Sequence, residues 1–502
     1  MRVLMLGWEF PPFITGGLGT ACAGLTRALA KGGTDLTFVL PGPADPNAVE
    51  HMQLIAPGQV STGSSQAGVR DHSQAEPSPA SFSTTPPSGA TVPPSSTPSP
   101  LPEQTSPQDI DPIATMGSYA SAYAGATPST AAQAVQWAAE SDAQPSAGPD
   151  DLPSPRRNAA EPEHGMNEQP ACEPLGDDSA EHSVVNDDSG GEGGGIIDAV
   201  RRYARFVETA VADLNFDVIH AHDWLTWPAA LRVARRTGRP LIVHVHSTEF
   251  DRSGESVHPV IHDIERRGML GAMRVITVSQ LTRNIVVERY GVDPAKVTVV
   301  YNGIEMDPID SGLSPIGRRE KIVLYFGRIT RQKGPEFFIR AAARVLELRQ
   351  DVRFVVAGSG DLYQRCVELA AELGIGQHFL FTGFLRGEDI QKVFSMADLF
   401  VMPSVSEPFG IAPLEAMSHD VPVLISKSSG VSEVLTHALK VDFWDTEAMA
   451  DKILAVLRYP PLGRTLRRAG PLDLRRLTWD DAARKCRQAY TEVVAAMGGV
   501  GV

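Results

Sequence analysis

Residues 321–338 read KIVLYFGRITRQKGPEFF. A mostly apolar run, a glycine, a loop carrying cations and then a helical period describe a buried strand delivering its chain into a helix. The strand is KIVLYFG and the helix is expected over Glu336–Leu348. Arg328 directly follows the strand, and Lys333 comes five residues later at the expected helix start. Cations there oppose the helix dipole. The placement is therefore either ordinary surface charge or a seat for an anion such as a diphosphate, which would offset both charges.

Working outward, the same strand-then-helix unit repeats. After Leu348 come the apolar runs VRFVVAG, HFLFTG, LFVMPS and PVLIS, each separated by a helical period. Near the N-terminus RVLMLG leads through a glycine-rich turn to Leu18, Cys22, Leu25 and Leu29 at helical spacing, closed by Gly32 and Gly33. LTFVLP follows. Much later a helix over Ile196–Leu214 precedes DVIHAH, PLIVHVH, RVITVS and KVTVVYNG, again with helices between. This alternation predicts an α/β protein with two Rossmann-like doubly wound domains, whose ligands sit at the carboxyl ends of the strands. Placed face to face, such domains make a cleft. The stretch YNGIEMDPIDSGLSPIGRRE (301–320) reads as the linker. The expected units are 1–57 with 196–305 as the N-terminal domain, 306–478 as the C-terminal domain, and 479–502 as a final helix free to pack back across the join.

Between the first two strands and the rest of the N-terminal domain the composition changes. Residues 58–195 hold 19 of the 39 prolines, 19 acidic residues, three arginines and no lysine, a net charge of −16 within a chain of −15. The remaining chain is thus near neutral, at +1. The tract is too poor in large apolar side chains to build a core and is expected to be a disordered insertion, with TAAQAVQWAA (130–139) as its one helix-like stretch. It is either a solvated loop or a tether for modification or docking. With the acidity confined there, nothing favours nucleic acid or an anionic membrane as a partner. The four cysteines are widely spaced, without a Cys-x-x-Cys pair. The N-terminal apolar run is interrupted at Trp8-Glu9, and no run reaches transmembrane length. A reducing, cytoplasmic setting without an integral membrane segment is the expectation.

Three further stretches carry chemistry. SEPFGIAPLEAM (406–417) places Glu407 ahead of a helix and Glu415 in its first turn, with Gly410 and Pro413 between. Either acid alone is ordinary dipole compensation. The pair flanking a glycine suggests a polyhydroxylated ligand held between them, with its anion on the helix end. GWEFPPFITGGLG (7–19) puts Gly16, Gly17 and Gly19 between a strand and a helix, as a tight turn or as an approach for a phosphate or sugar. It is not a dinucleotide fingerprint. Finally, HAHDW (220–224) and HVHSTEFD (244–251) each put two histidines on one face of a strand. His-x-His is a weak zinc signal without a third ligand of recognised spacing. The histidine nearer the strand's carboxyl end in each pair is the better cleft candidate.

Taken together, SEPFGIAPLEAM resembles the Glu-x7-Glu motif of retaining nucleotide-sugar glycosyltransferases with two facing Rossmann-like domains, the GT-B type. GRITRQKGPEFFI is similar to that family's donor-phosphate stretch. WEFPPFITGGLG and HVHSTEFDRSG resemble the glycogen and starch synthases and the related family 4 enzymes. The resemblance implies that Arg328 and Lys333 neutralise the donor diphosphate, that Glu415 accepts from the ribose hydroxyls, and that Glu407 meets the transferred sugar. It further implies that the Gly410 and Ile411 amides face sugar and phosphate, and that Gly16 and Gly17 approach the donor from the other domain. His246 would stand beside the reacting sugar. GSGD (358–361, with Gly358) and GFLR (383–386, with Leu385) would line the nucleotide.

The implied reaction is transfer of a hexosyl group, glucose from ADP- or UDP-glucose, to a growing α-1,4-glucan. Configuration is retained by front-face attack, with no cofactor and no divalent metal. Where the bacterial synthases carry a lysine two residues before the glycine pair, this chain has Ile14. Other readings are a family 4 transferase acting on another polysaccharide, a lipid or a small molecule, and, from different classes, a sugar-nucleotide 2-epimerase or an inactive binding protein.

Overall fold

The computed structural model describes residues 1–13, 16–45, 48–57, 195–305 and 320–498. The tract at 58–194 and its helix-like stretch lie outside the described residues, as do Ile14, Cys172 and most of the linker.

The first half runs β1 (Arg2–Leu6), α1 (Gly17–Lys31), β2 (Asp35–Val39), β3 (Gln53–Ile55), α2 (Ile196–Ala210), β4 (Val218–His222), α3 (Trp227–Thr237), β5 (Leu241–Val245), α4 (Glu249–Ser253), α5 (Pro259–Gly271), β6 (Arg274–Thr277), α6 (Gln280–Tyr290) and β7 (Val297–Val299). The second runs β8 (Lys321–Phe326), α7 (Pro335–Leu348), β9 (Val352–Ala357), α8 (Tyr363–Glu372), β10 (Phe379–Gly383), α9 (Glu388–Ser395), β11 (Leu399–Met402), α10 (Ala412–Ser418), β12 (Val423–Ser426), β13 (Leu439–Val441), α11 (Thr446–Arg458), α12 (Pro460–Leu474) and α13 (Trp479–Gly498).

Among the described residues the strands form two sheets, ordered β3-β2-β1-β4-β5-β6-β7 and β10-β9-β8-β11-β12-β13, and every pairing is parallel. Both are doubly wound, as expected. Strand order reverses between β1 and β4 in the first sheet and between β8 and β11 in the second, and a crevice opens at such a point. Parallel sheets covered on both faces need continuous apolar strands. In β8, Val323 and Tyr325 join one core cluster while Leu324 joins the cluster on the opposite face.

Three element boundaries differ from the sequence pattern. The helix from Ile196 ends at Ala210 rather than Leu214, because Ala212 and Leu214 bond back three residues to Thr209 and Val211 and tighten into turns. The strand in KVTVVYNG is confined to Val297–Val299. Lys333 stands not at a helix start but in a 3-10 turn, Arg331–Lys333, which Gly334 at φ 62° separates from α7.

Both sheets belong to one compact unit of the chain. Val278, just after β6, packs into the second sheet's cluster, and Ile304 N–H bonds to the Leu477 carbonyl at 2.9 Å. Helix α13 leaves the second sheet and lies on α1, where a Cβ on Gly24 would stand 2.2 Å from the Trp479 ring. Lys31–Asp480 and Arg274–Glu492 ion pairs, each 2.8 Å, flank this contact.

Candidate active site

The second sheet's crevice gathers the residues that the sequence pattern singled out. Strand β8 delivers Arg328, whose carbonyl accepts from the Tyr325 hydroxyl at 2.8 Å and whose guanidinium reaches Gln332 Oε1 at 3.4 Å. Its neighbour across the switch point, β11, delivers Pro403–Glu407. A Cβ on Gly334 would meet the Pro403 carbonyl at 2.3 Å, so only glycine lets the two loops touch. The Gln332 carbonyl then accepts from Val405 N–H at 2.9 Å. This contact brings the Lys333 ammonium onto Glu407 Oε2, which also accepts from Ser404 Oγ at 3.2 Å. The Glu407 backbone is bonded to Ser428 and Gly430 at 3.0 and 2.8 Å, so its buried side chain is held from both sides.

Helix α10 starts with Pro413 in its first turn and no side chain capping its end, leaving backbone amides open to an anion. Gly410 before it has φ 102°, and a Cβ there would press on Glu407 Cγ at 3.1 Å. Ile411 occupies the cap position. Glu415, one turn in, contrasts with Glu407: no described residue hydrogen-bonds its carboxylate, and burial pushes its pKa up to about 7. Gly358, at φ 144°, lies against the loop after β8, where a Cβ would stand 1.9 Å from the Gly327 carbonyl. Its N–H bonds to Gly383. Beyond that glycine, Leu385 packs on the sheet's core while Arg386 covers the exposed Phe384 ring at 5.3 Å.

On the first sheet, Gly16 caps α1 in extended conformation and Gly17 is exposed with open space around it. Beneath them is a residue the sequence reading passed over. Glu9 is buried, its Oε2 accepts from Gly19 N–H at 3.3 Å, and a Cβ on Gly16 would meet that oxygen at 2.5 Å. Burial raises its pKa, while the Gly19 amide and the charge of Arg328 pull it down. An acid inside the apolar run GWEFPPF was the available signal.

His246 follows β5 and is half-buried, its Nε2 2.9 Å from His222 Nδ1, and burial lowers its pKa to about 3, so the ring is neutral. Asp223 positions it. At φ 56° this residue folds back so that its Oδ1 accepts from His246 N–H at 2.7 Å, and burial raises its pKa to about 7. The same bend encloses His222, which is fully buried rather than facing the cleft as its place in the strand had suggested. All of His220, His222 and His244 are inside, so the third imidazole missing from either motif comes from the neighbouring strand. Past His246, Thr248 and Asp251 form a reciprocal cap on α4, and Arg252 bridges the buried Glu249 and Glu265. Asp251 Oδ1 also accepts from Ser406 Oγ at 2.6 Å, tying the first sheet's loop to the residue before Glu407.

Comparison with known proteins matches this arrangement to glycosyltransferases along most of its length. Residues 310–472 match the family described as glycosyl transferases group 1, residues 174–308 match glycosyltransferase family 4, and residues 2–76 match the starch synthase catalytic domain. The chain is a GT-B glycosyltransferase of the starch synthase and family 4 group.

Similar to this glycosyltransferase is one from Methanocaldococcus jannaschii, 37% identical over 237 residues that span 44% of this chain and 60% of the relative. A D-inositol 3-phosphate glycosyltransferase of a Mycobacterium species is 30% identical over 51% of this chain and 61% of its own length. The chain thus spans about 60% of the length of these relatives. Sucrose-phosphate synthase from Thermosynechococcus elongatus superposes with a TM-score of 0.62 at 17% identity, covering 99% of both chains. Anabaena HepE, solved with UDP and glucose, gives 0.52 at 21% identity over 59% of this chain and 82% of that one. These last two likenesses concern the fold. Among the described residues no helix is long and apolar enough to cross a membrane.

Proposed function

We propose that this glycosyltransferase moves a hexosyl group, glucose from ADP- or UDP-glucose, to a growing α-1,4-glucan with retention of configuration. The observation that carries the reading is the set at the β8–β11 crevice: Arg328, Lys333 paired with Glu407, and the uncapped start of α10. As the glycosidic bond breaks, negative charge grows on the departing diphosphate, and fixed cations and amides aimed there stabilise the transition state. These groups supply that charge without a divalent metal. Glu407 takes hydroxyls of the transferred sugar and Glu415 the ribose diol. Gly358 and Leu385 line the nucleotide. From the acceptor-side sheet, Gly16 and Gly17 approach the donor, and neutral His246 stands beside the reacting carbon. The glucan acceptor is supported by the starch synthase match over residues 2–76. The buried cysteines Cys22, Cys366 and Cys486 are free, in keeping with a cytoplasmic enzyme.

A second reading, transfer to a small-molecule acceptor, is favoured by the likeness to D-inositol 3-phosphate glycosyltransferases. The test is nucleoside diphosphate release from ADP-glucose and UDP-glucose, with and without glycogen and with EDTA. Glycogen-dependent release supports the synthase. Slow release that ignores glycogen favours the small-molecule acceptor. Nucleotide binding without release from either donor sinks both and leaves another donor sugar or a binding role.

A further inference from the structure

Strand β4 ends His220-Ala221-His222, and β5 with the residue after it reads His244-Val245-His246. The two strands pair in parallel with His222 opposite His244. A period of two therefore gathers all four imidazoles on one sheet face, with neighbouring ring centroids 4.2 to 5.3 Å apart. The rings meet nitrogen to nitrogen: His220 Nε2 lies 3.2 Å from His244 Nδ1, and His222 Nδ1 lies 2.9 Å from His246 Nε2. One ring nitrogen from each of His220, His222 and His244 falls within 4.8 Å of the other two.

Two further observations point to a ligand. Nε2 of His222 and Nε2 of His244 are buried and have no hydrogen-bond partner, in an interior where such orphans are rare and mark an ion or a water. The Tyr490 hydroxyl of α13 sits 2.7 Å from His220 Nδ1. With that hydroxyl accepting, the His220 proton is held on Nδ1 and its Nε2 lone pair is turned into the group. Metal-ligating histidines are fixed by an outer partner in this way.

We propose that the cluster binds one divalent transition-metal ion through His220, His222 and His244, beneath His246. An all-imidazole set suits zinc, cobalt or nickel rather than magnesium or calcium, which take oxygen ligands. Burial keeps the three rings neutral, the state that ligates. Nitrogens of a tetrahedral site with bonds of about 2.0–2.1 Å lie about 3.4 Å apart. The His220–His244 spacing already fits, and the third ring closes by about 1 Å through a side-chain rotation. The ion would join the ends of β4 and β5 and fix His222, the partner of His246. It stands apart from the diphosphate crevice, and the proposal does not depend on the donor or acceptor assigned above.

The test uses the full chain without a histidine tag. Metal content is measured after growth with added zinc, and chelator-stripped protein is titrated with Co(II) while its visible spectrum and melting temperature are followed. About one equivalent, tetrahedral cobalt bands and a raised melting temperature are expected. His222→Gln and His244→Gln should abolish all three, and Tyr490→Phe should weaken binding about 10- to 100-fold. No bands and a melting temperature unmoved by zinc, cobalt and nickel would overturn the proposal, leaving hydrogen-bonded imidazoles with a buried water. So would binding that survives in both glutamine variants. Where those variants fail to fold, the titration of the unaltered chain and of Tyr490→Phe decides.

Discussion

Ser406 Oγ donates to Asp251 Oδ1 at 2.6 Å, and this one hydrogen bond spans the two sheets at the point where their candidate groups meet. Ser406 precedes Glu407 in the loop after β11. Asp251 closes the cap of α4, five residues beyond His246. The bond therefore sets the separation between the donor carboxylate and the neutral histidine. Ser406→Ala removes about 1 kcal/mol of interaction. The expected outcome is a severalfold fall in kcat/KM with little change in melting temperature. Equal kinetics in the variant would show that the loops hold their spacing without it.

The Lys333–Glu407 pair makes the two residues unequal partners. Lys333→Ala removes a cation from the departing diphosphate and leaves Glu407 buried without its counter-charge. A fall in kcat of about a hundred- to a thousandfold is expected. Glu407→Gln should lower activity while retaining nucleoside diphosphate binding, because Lys333 and Arg328 remain. Calorimetry with UDP and ADP checks this. Loss of nucleotide affinity in Glu407→Gln would contradict the assignment.

Burial raises the Glu415 carboxyl from 4.5 to about 7. The folded state holds that proton more tightly than the unfolded chain does, so this contribution to stability is fully present below about pH 4.5 and is lost as pH rises through about 7. Ribose hydroxyls prefer the ionised acceptor. The KM for the nucleotide sugar should therefore fall between about pH 6 and pH 8, and Glu415→Gln should flatten that dependence. A parallel slope in the variant would place the titration elsewhere.

Gly24 tests the seat of α13. In an isolated helix, Gly→Ala stabilises by about 1 kcal/mol. Here the new Cβ would lie 2.2 Å from the Trp479 ring, and overpacking costs about 1–3 kcal/mol. Gly24→Ala should thus lower the urea midpoint rather than raise it. An increase would show that Trp479 has room to move.

The sequence by itself determined a good deal. Runs such as KIVLYFG and VRFVVAG bury both faces of a strand, and that is legible because a parallel strand needs no polar alternation. The glycine-pinned loops after β8 and before α10 were equally legible, because Gly334 and Gly410 occupy conformations that other residues resist. Arg328, Lys333, Glu407 and Glu415 announced themselves as charge in places where a helix end alone does not explain it.

Only the tertiary structure decided what pairs with what. Lys333 meets Glu407 across 74 positions, and Ser406 meets Asp251 across 155. Glu9 lies under α1 because the chain turns back on itself. Two weak His-x-His motifs became one cluster because β4 and β5 are neighbours in register. Local pattern records what each residue must do for its own strand or helix. Side chains that act together across a switch point share no period, and only the closing of the sheets brings them within a hydrogen bond of each other.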